Sequence, residues 1–218
     1  VVGASEIPSE NVQKLDATNR EEVETFLEKE MPDVVIDTVG LTSSVACERD
    51  PELAERVNYS TAKIIADSCK KIGAKMVFIS SSYLFDGEKG NYTEEDIPNS
   101  EMQYSKTKIL AEKEVLSVPG SIVIRTEIMY GTENKKIKFG SATFEGEVSL
   151  AFTDQIRQPI FVDDVPKIVN ELLKNKHSGI FNTAGPEKMT MLNLLQRLKK
   201  LFRDKSEIII KDKSVLPM

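Results

Sequence analysis

The stretch that decides the fold is DPELAERVNYSTAKIIADSCKKIGAKMVFISSS, residues 50–82. Asp50 is a helix-capping residue type, and Pro51 behind it has its φ already set for a first helical position. The helix this predicts runs to Gly73, a residue that readily ends helices. KMVFISSS, residues 75–82, then reads as a strand. A helix delivered straight into a strand is the repeating half of a parallel sheet, with its crossovers lying on the faces.

The same alternation extends both ways. Upstream, DATNREEVETFLEKEM (16–31) carries a Thr18-x-x-Glu21 capping box, then Val23, Phe26 and Leu27 at helical spacing. PDVVIDTV (32–39) is a short β-branched run, as expected of a strand buried on both faces. Downstream, EMQYSKTKILAEKEVLS (101–117) reads as a helix and GSIVIRTEIMYG (120–131) as one strand. This βαβαβ rhythm predicts an α/β fold: a doubly wound parallel sheet, Rossmann-like, with helices on both faces. Beyond Gly131 the pattern loosens. TENKKIKFGSATFEGE (132–147) has no clear period, VSLAFTD (148–154) and QPIFV (158–162) look like short strands, and DDVPKIVNELLKN (163–175) is a helix with Pro166 in its first turn. GIFNTAG (179–185) is a strand entering a turn, MTMLNLLQRLKKLF (189–202) a helix, and SEIIIK (206–211) a last strand. The expected division is a doubly wound domain over 1–131 and a smaller α/β region over 132–218 that packs partly back on it.

Composition bounds the chemistry. The chain has 218 residues, 40% of them hydrophobic and 29% charged, a globular balance. A net charge of −6 offers no footprint for nucleic acid, and the basic run RLKKLFRDK (197–205) reads as the solvated face of a helix. No apolar run approaches the roughly 18 residues that span a membrane, and no signal peptide opens the chain. Two cysteines, Cys47 and Cys69, suggest buried thiols in a reducing cytoplasm. A single histidine, His177, denies a His-based metal cage its ligands. Acid–base work near neutral pH then falls to another group with a shifted pKa.

Doubly wound sheets bind ligands beyond the carboxyl ends of their strands. At those ends stand Ser80, Ser81, Ser82 and Tyr83, then Thr38, Val39 and Gly40, then Thr126 and Glu127. Two Tyr-x-x-x-Lys patterns compete for a role at this rim. Tyr59 and Lys63 sit in the first half of a long packed helix, a structural setting. Tyr104 and Lys108 open a helix that follows the polar loop after the serine-rich strand end, so Tyr104 can return to the rim of Ser81. Four residues bring Lys108 onto the same helical face, where its charge would lower the phenol's pKa. The set suits proton donation to a carbonyl oxygen that gains charge during hydride transfer, with Ser81 offering a second hydrogen bond.

ISSSYLFDGEKGNYTEEDIP (79–98), YSKTKILAE (104–112) and VIRTEIMYG (123–131) together resemble the extended short-chain dehydrogenase/reductases, in their dTDP-4-dehydrorhamnose reductase-like branch. LDATN, PDVVID, CERDPELAERVN and IRQPIFVDDV fit the same family in the same order, over roughly residues 12 to 200. The resemblance implies Ser81, Tyr104 and Lys108 as the catalytic set, Tyr104 as general acid and Lys108 also on the nicotinamide ribose. It implies cofactor contacts from Asp16, Thr38, Val39, Gly40 and Asn58, and substrate contacts from Ser81, Ser82, Tyr83 and Ile128. It implies NADP(H) or NAD(H), a nucleotide-sugar substrate, a homodimer as a candidate assembly and a cytoplasmic setting. VVGASEIPSE (1–10) holds no arginine for a 2′-phosphate, which favours NAD(H).

Departures from the family carry their own expectations. The family opens with a strand and a Gly-rich turn that this sequence does not contain, so Val1 reads as the end of a second strand. KDKSVLPM (211–218) stops where the family runs on, and residues 134–147 fall where the family has a helix. Ser81 and Ser82 replace a threonine and an aspartate, and Ile128 replaces a tryptophan that would face the sugar. Asp37 replaces a small residue and would set a negative charge near cofactor phosphates unless turned away or paired. Two other readings therefore stand beside the reductase. One is a non-catalytic binding subunit like the regulatory subunit of methionine adenosyltransferase. The other is a nucleotide-sugar epimerase or dehydratase.

Overall fold

Helices and strands form in the alternation that the apolar pattern dictates. The computed structural model describes residues 1–133, 136–139, 142–144, 149–202 and 208–211. In chain order the elements are β1 (Gly3–Ser5), β2 (Val12–Lys14), α1 (Arg20–Glu30), β3 (Val34–Asp37), α2 (Ser44–Arg49), α3 (Pro51–Ala54), a π-helical segment (Glu55–Ser60), α4 (Thr61–Ile72), β4 (Lys75–Ser81) and α5 (Gln103–Leu116). Then come β5 (Ile122–Thr126), β6 (Met129–Glu133), β7 (Lys136–Phe139), β8 (Ala142–Phe144), β9 (Ser149–Phe152), β10 (Ile156–Arg157), β11 (Ile160–Phe161), α6 (Asp164–Lys174), β12 (Gly179–Thr183), β13 (Met189–Thr190), α7 (Met191–Phe202) and β14 (Ile208–Lys211). The fold is mixed α/β with a parallel, Rossmann-like sheet.

Two compact units divide the chain: residues 1–125 with 171–182, and residues 126–170 with 183–218. The first holds the sheet ordered β12-β5-β4-β3, in which β3 and β4 run parallel with Asp37 opposite Phe78. Val23 and Leu27 of α1, Ile64, Ile65 and Cys69 of α4, Ala111 and Val115 of α5, and Met76 and Phe78 of β4 share one apolar core. Each large side chain buried there contributes about 1.5–3 kcal/mol. The second unit holds the sheet β11-β6-β7-β8, with β6, β7 and β8 antiparallel and β11 parallel to β6. Met191, Leu194, Leu195 and Leu198 of α7 form its core, joined by Ile128 and Tyr130. Within this unit Gly185 lies so close to the Pro159 carbonyl that a Cβ would stand 1.9 Å from the oxygen.

Several local expectations are corrected. The cap of α1 is Asn19, not Thr18. Asp16 takes both the amide and the hydroxyl of Thr18, and Asn19 instead accepts from the amides of Glu21 and Glu22. Glu22 accepts from the Asn19 side chain at 2.9 Å, while the Asn19 amide donates to the Asp16 carbonyl, so no capping box closes. Asp50 and Pro51 do start a helix, but the helix passes through the π segment before α4 ends at Gly73, φ +75°. The single strand expected over 120–131 is two strands in different sheets, separated where the Glu127 amide donates to the Thr183 carbonyl. β3 is not buried on both faces: Ile36 is 53% exposed, and within the described sheet β3 pairs only with β4. Residues 136–139 and 142–144, which show no period, form antiparallel strands. Residues 203–205 of the basic run and 212–218 lie outside the described residues.

Candidate active site

The site is built on one stripe of α5. Tyr104, Thr107, Lys108, Ala111, Glu112 and Val115 recur at helical spacing and all are buried. An apolar stripe would only pack; this one carries four polar side chains inward, each of which needs a partner.

Ser81 closes β4. Its hydroxyl accepts from the Tyr83 amide at 3.1 Å, and it stands near enough to the Tyr104 phenol to draw that group's pKa down. Ser105 donates to the Tyr83 carbonyl at 2.6 Å, which clamps the turn after β4 onto the first turn of α5. The structure thus brings Ser81 and Tyr104 together. The Tyr104 ring packs with Cys47, Ala54, Leu41 and Tyr83 and is 9% exposed. Burial raises its pKa above the ordinary phenol range, with the Ser81 hydrogen bond opposing.

This corrects the expectation that Lys108 lowers the phenol's pKa. Lys108 shares the face of Tyr104 but turns inward, donating from Nζ to the Ile79 carbonyl at 2.7 Å and lying 3.8 Å from the centre of the Phe78 ring. Spacing sets the shared face of a helix and not where a four-carbon stem ends. Burial pushes Lys108 down to about 8, against the pull of Asp37 and Glu112.

Asp37 and Asn58 shape the loop after β3. Asp37 is 3% exposed; its carboxylate accepts from the Val39 amide at 2.9 Å, and burial lifts it to about 6 against the charge of Lys108. It is therefore both inward and paired electrostatically. Asn58, in the π segment, accepts from the Leu41 amide at 2.6 Å and donates to the Leu41 carbonyl and the Thr107 hydroxyl, each at 3.2 Å. Thr107 passes its own proton to the Tyr104 carbonyl at 2.8 Å. A side-chain amide thus ties the loop of Thr38, Val39 and Gly40 to the helix of Tyr104. A Cβ on Gly40 would stand 3.4 Å from the Asn58 carbonyl oxygen.

The other candidates lie as follows. Asp16 caps the turn before α1 and is held below its usual range by the Thr18 hydrogen bonds. Ser82 begins the one-turn 3-10 segment Ser82–Leu84. Ile128, in the second unit, packs on the α7 core. Tyr59 and Lys63 both bind Glu114, at 3.2 and 3.0 Å, a structural clamp.

The sequence reading did not single out Glu112. It is 3% exposed, accepts from Ser80 at 2.6 Å and takes a two-pronged contact from Arg125, the shortest prong 2.7 Å. Its signal was its place one turn beyond Lys108, on a face that had to be buried. Among the described residues no group of three or more His, Cys, Asp or Glu side chains gathers as for a metal, and no helix is long and apolar enough to cross a membrane.

A family model described as RmlD substrate binding domain matches residues 3–216. Methionine adenosyltransferase 2 subunit beta of Rattus norvegicus is 31% identical over 193 residues, 83% of this chain and 57% of that protein. A probable low-salt glycan biosynthesis reductase, Agl14, of Haloferax volcanii is 30% identical over 188 residues, 82% of this chain and 63% of that protein. The chain thus spans less than two thirds of the length of either curated relative. A hypothetical dTDP-4-dehydrorhamnose reductase from Sulfolobus tokodaii superposes with a TM-score of 0.82 at 30% identity, over 96% of this chain and 76% of that one.

Proposed function

Because the chain belongs to the RmlD family of the extended short-chain dehydrogenase/reductases, we propose that its protein uses NAD(P)H to reduce the 4-keto group of a nucleotide-linked sugar, dTDP-4-dehydrorhamnose or a close analogue. The observation that carries this reading is the buried Tyr104 phenol set beside Ser81 at the end of a parallel strand.

Tyr104 gives its proton to the keto oxygen as that oxygen gains charge, and Ser81 donates a second hydrogen bond to it. A phenol held above its ordinary pKa is fully protonated at neutral pH, as an acid must be. A bound nicotinamide supplies the hydride. The donors available fit such a cofactor: Lys108 has three N–H groups, of which the Ile79 carbonyl takes one, so others can meet ribose hydroxyls. Gly40, without a side chain, leaves the loop backbone after β3 open to close approach.

Tyr104→Phe removes the acid and little else. Turnover of dTDP-4-dehydrorhamnose should fall by about 10²–10⁴-fold with circular dichroism and cofactor binding intact. Undiminished turnover would overturn the assignment. A second reading, a non-catalytic binding subunit, is favoured by the curated relatives named as methionine adenosyltransferase subunits. It predicts no turnover of the keto sugar by the unaltered protein with either nucleotide, together with a stable complex with a methionine adenosyltransferase catalytic subunit on size exclusion.

A further inference from the structure

Lys108 occupies a position that ought to discharge it. The residue is 3% exposed, its ammonium sits over the face of Phe78, and the hydrogen bond to Ile79 is to a neutral carbonyl. An isolated ammonium taken out of water loses its proton rather than pay the full cost of desolvation. Two carboxylates act on it, Glu112 one turn along α5 and Asp37 from the neighbouring strand.

Those two are not equivalent. Glu112 is already neutralised: Arg125 of β5 grips both its oxygens and Ser80 of β4 donates to one of them. Asp37 accepts from the Val39 amide, a neutral donor, and stands in register with Phe78, whose ring carries the ammonium. Its charge is also felt by Cys69 of α4, whose thiol is pushed up to about 12 chiefly by burial and then by Asp37. Asp37 is therefore the carboxylate with negative charge left to offer.

We propose that Asp37 is a positioning residue for Lys108: its carboxylate, set at the end of β3, keeps the buried ammonium charged and seated on the Ile79 carbonyl. The consequence for turnover rests on the reading of Lys108 given above, whereas the link between the two charges does not. Burial lifts Asp37 to about 6 and lowers Lys108 to about 8. Below the first value the carboxylate is neutral, and above the second the ammonium is. The charged pair is thus confined to a window around neutral pH.

The test is a titration of the full chain labelled with 13C,15N-lysine and 13C-aspartate and followed by NMR. In the unaltered protein the Lys108 Cε signal should show its main midpoint near 8 and a smaller inflection at the midpoint of the Asp37 carboxyl. In Asp37→Asn, which keeps an oxygen for the Val39 amide, the inflection should vanish and the Lys108 midpoint should fall by about one unit or more. By reciprocity Lys108→Met should raise the Asp37 midpoint by a similar amount. A Lys108 signal that ignores Asp37 in the unaltered protein, or midpoints unmoved in either variant, overturns the proposal. The unaltered protein decides the matter even if a variant does not fold. If the shifts appear but Tyr104→Phe still turns over the keto sugar, the functional reading falls and the coupling stands. If both hold, turnover of Asp37→Asn should lose its acid limb near 6 and its alkaline limb should move below 8.

Discussion

Asn58 shows how a single amide organises a site without reaching its chemistry. It satisfies both backbone groups of Leu41 and a hydroxyl of α5, all in a buried setting. Asn58→Ala leaves the Leu41 amide without a partner, while the Leu41 carbonyl keeps the Cys47 thiol and the Thr107 hydroxyl keeps the Tyr104 carbonyl; one orphaned buried group costs about 1–3 kcal/mol. Urea unfolding should therefore give a loss of about 1–3 kcal/mol, with m unchanged. Asn58→Asp, which keeps the acceptor for the Leu41 amide but loses both donors, should recover only part of it. At this scale the sequence was informative where spacing alone decides. A four-residue interval and a strand end single out Tyr104 and Ser81 as candidates. The inward turn of Lys108 was not, because it depends on a carbonyl and a ring in β4, 29 and 30 positions away in sequence.

Helix ends were read almost to the residue, and where they were missed the cause was local competition. Thr18 looked like a cap until Asp16 took its hydroxyl. At the far end of α1, Met31 holds φ +42°, is 61% exposed, and donates its amide to the Leu27 carbonyl. A left-handed conformation costs a side-chain-bearing residue about 1–2 kcal/mol, and glycine avoids this at an entropic cost of about 0.5–1 kcal/mol. Met31→Gly should therefore stabilise the protein by about 0.5–1 kcal/mol in denaturant melts, an increase rather than the usual loss. The π segment between α3 and α4 had no sequence signal. The segment is only six residues long, too short to set an apolar period of its own, yet Asn58 sits in it and bonds to Leu41 and Thr107. The break between β5 and β6 was equally silent, since no glycine or proline interrupts SIVIRTEIMY.

Across the first unit, buried charges link strands to helix: Asp37 on β3, Lys108 and Glu112 on α5, Ser80 on β4, Arg125 on β5. Removing one partner of such a pair leaves the other charge desolvated and alone. Arg125→Met should cost about 3–5 kcal/mol, whereas Arg125→Met with Glu112→Leu should recover most of it. A double variant as unstable as the single one would show that the pair acts through its shape and not its charge.

The parallel fold class and most of its helices and strands could be read from apolar period and capping types, and the family from the resemblance of its motifs; the rule that ligand groups collect at strand ends nominated Ser81 and Tyr104 as site candidates. Which way a buried charge points, which amide is consumed by which loop, and that β3 exposes Ile36 were decided only by the tertiary structure. The reason is desolvation. A lysine, an aspartate or an asparagine in a sequence is indifferent to its neighbours until folding removes water, and then its partners are whichever strands and helices the topology has brought beside it.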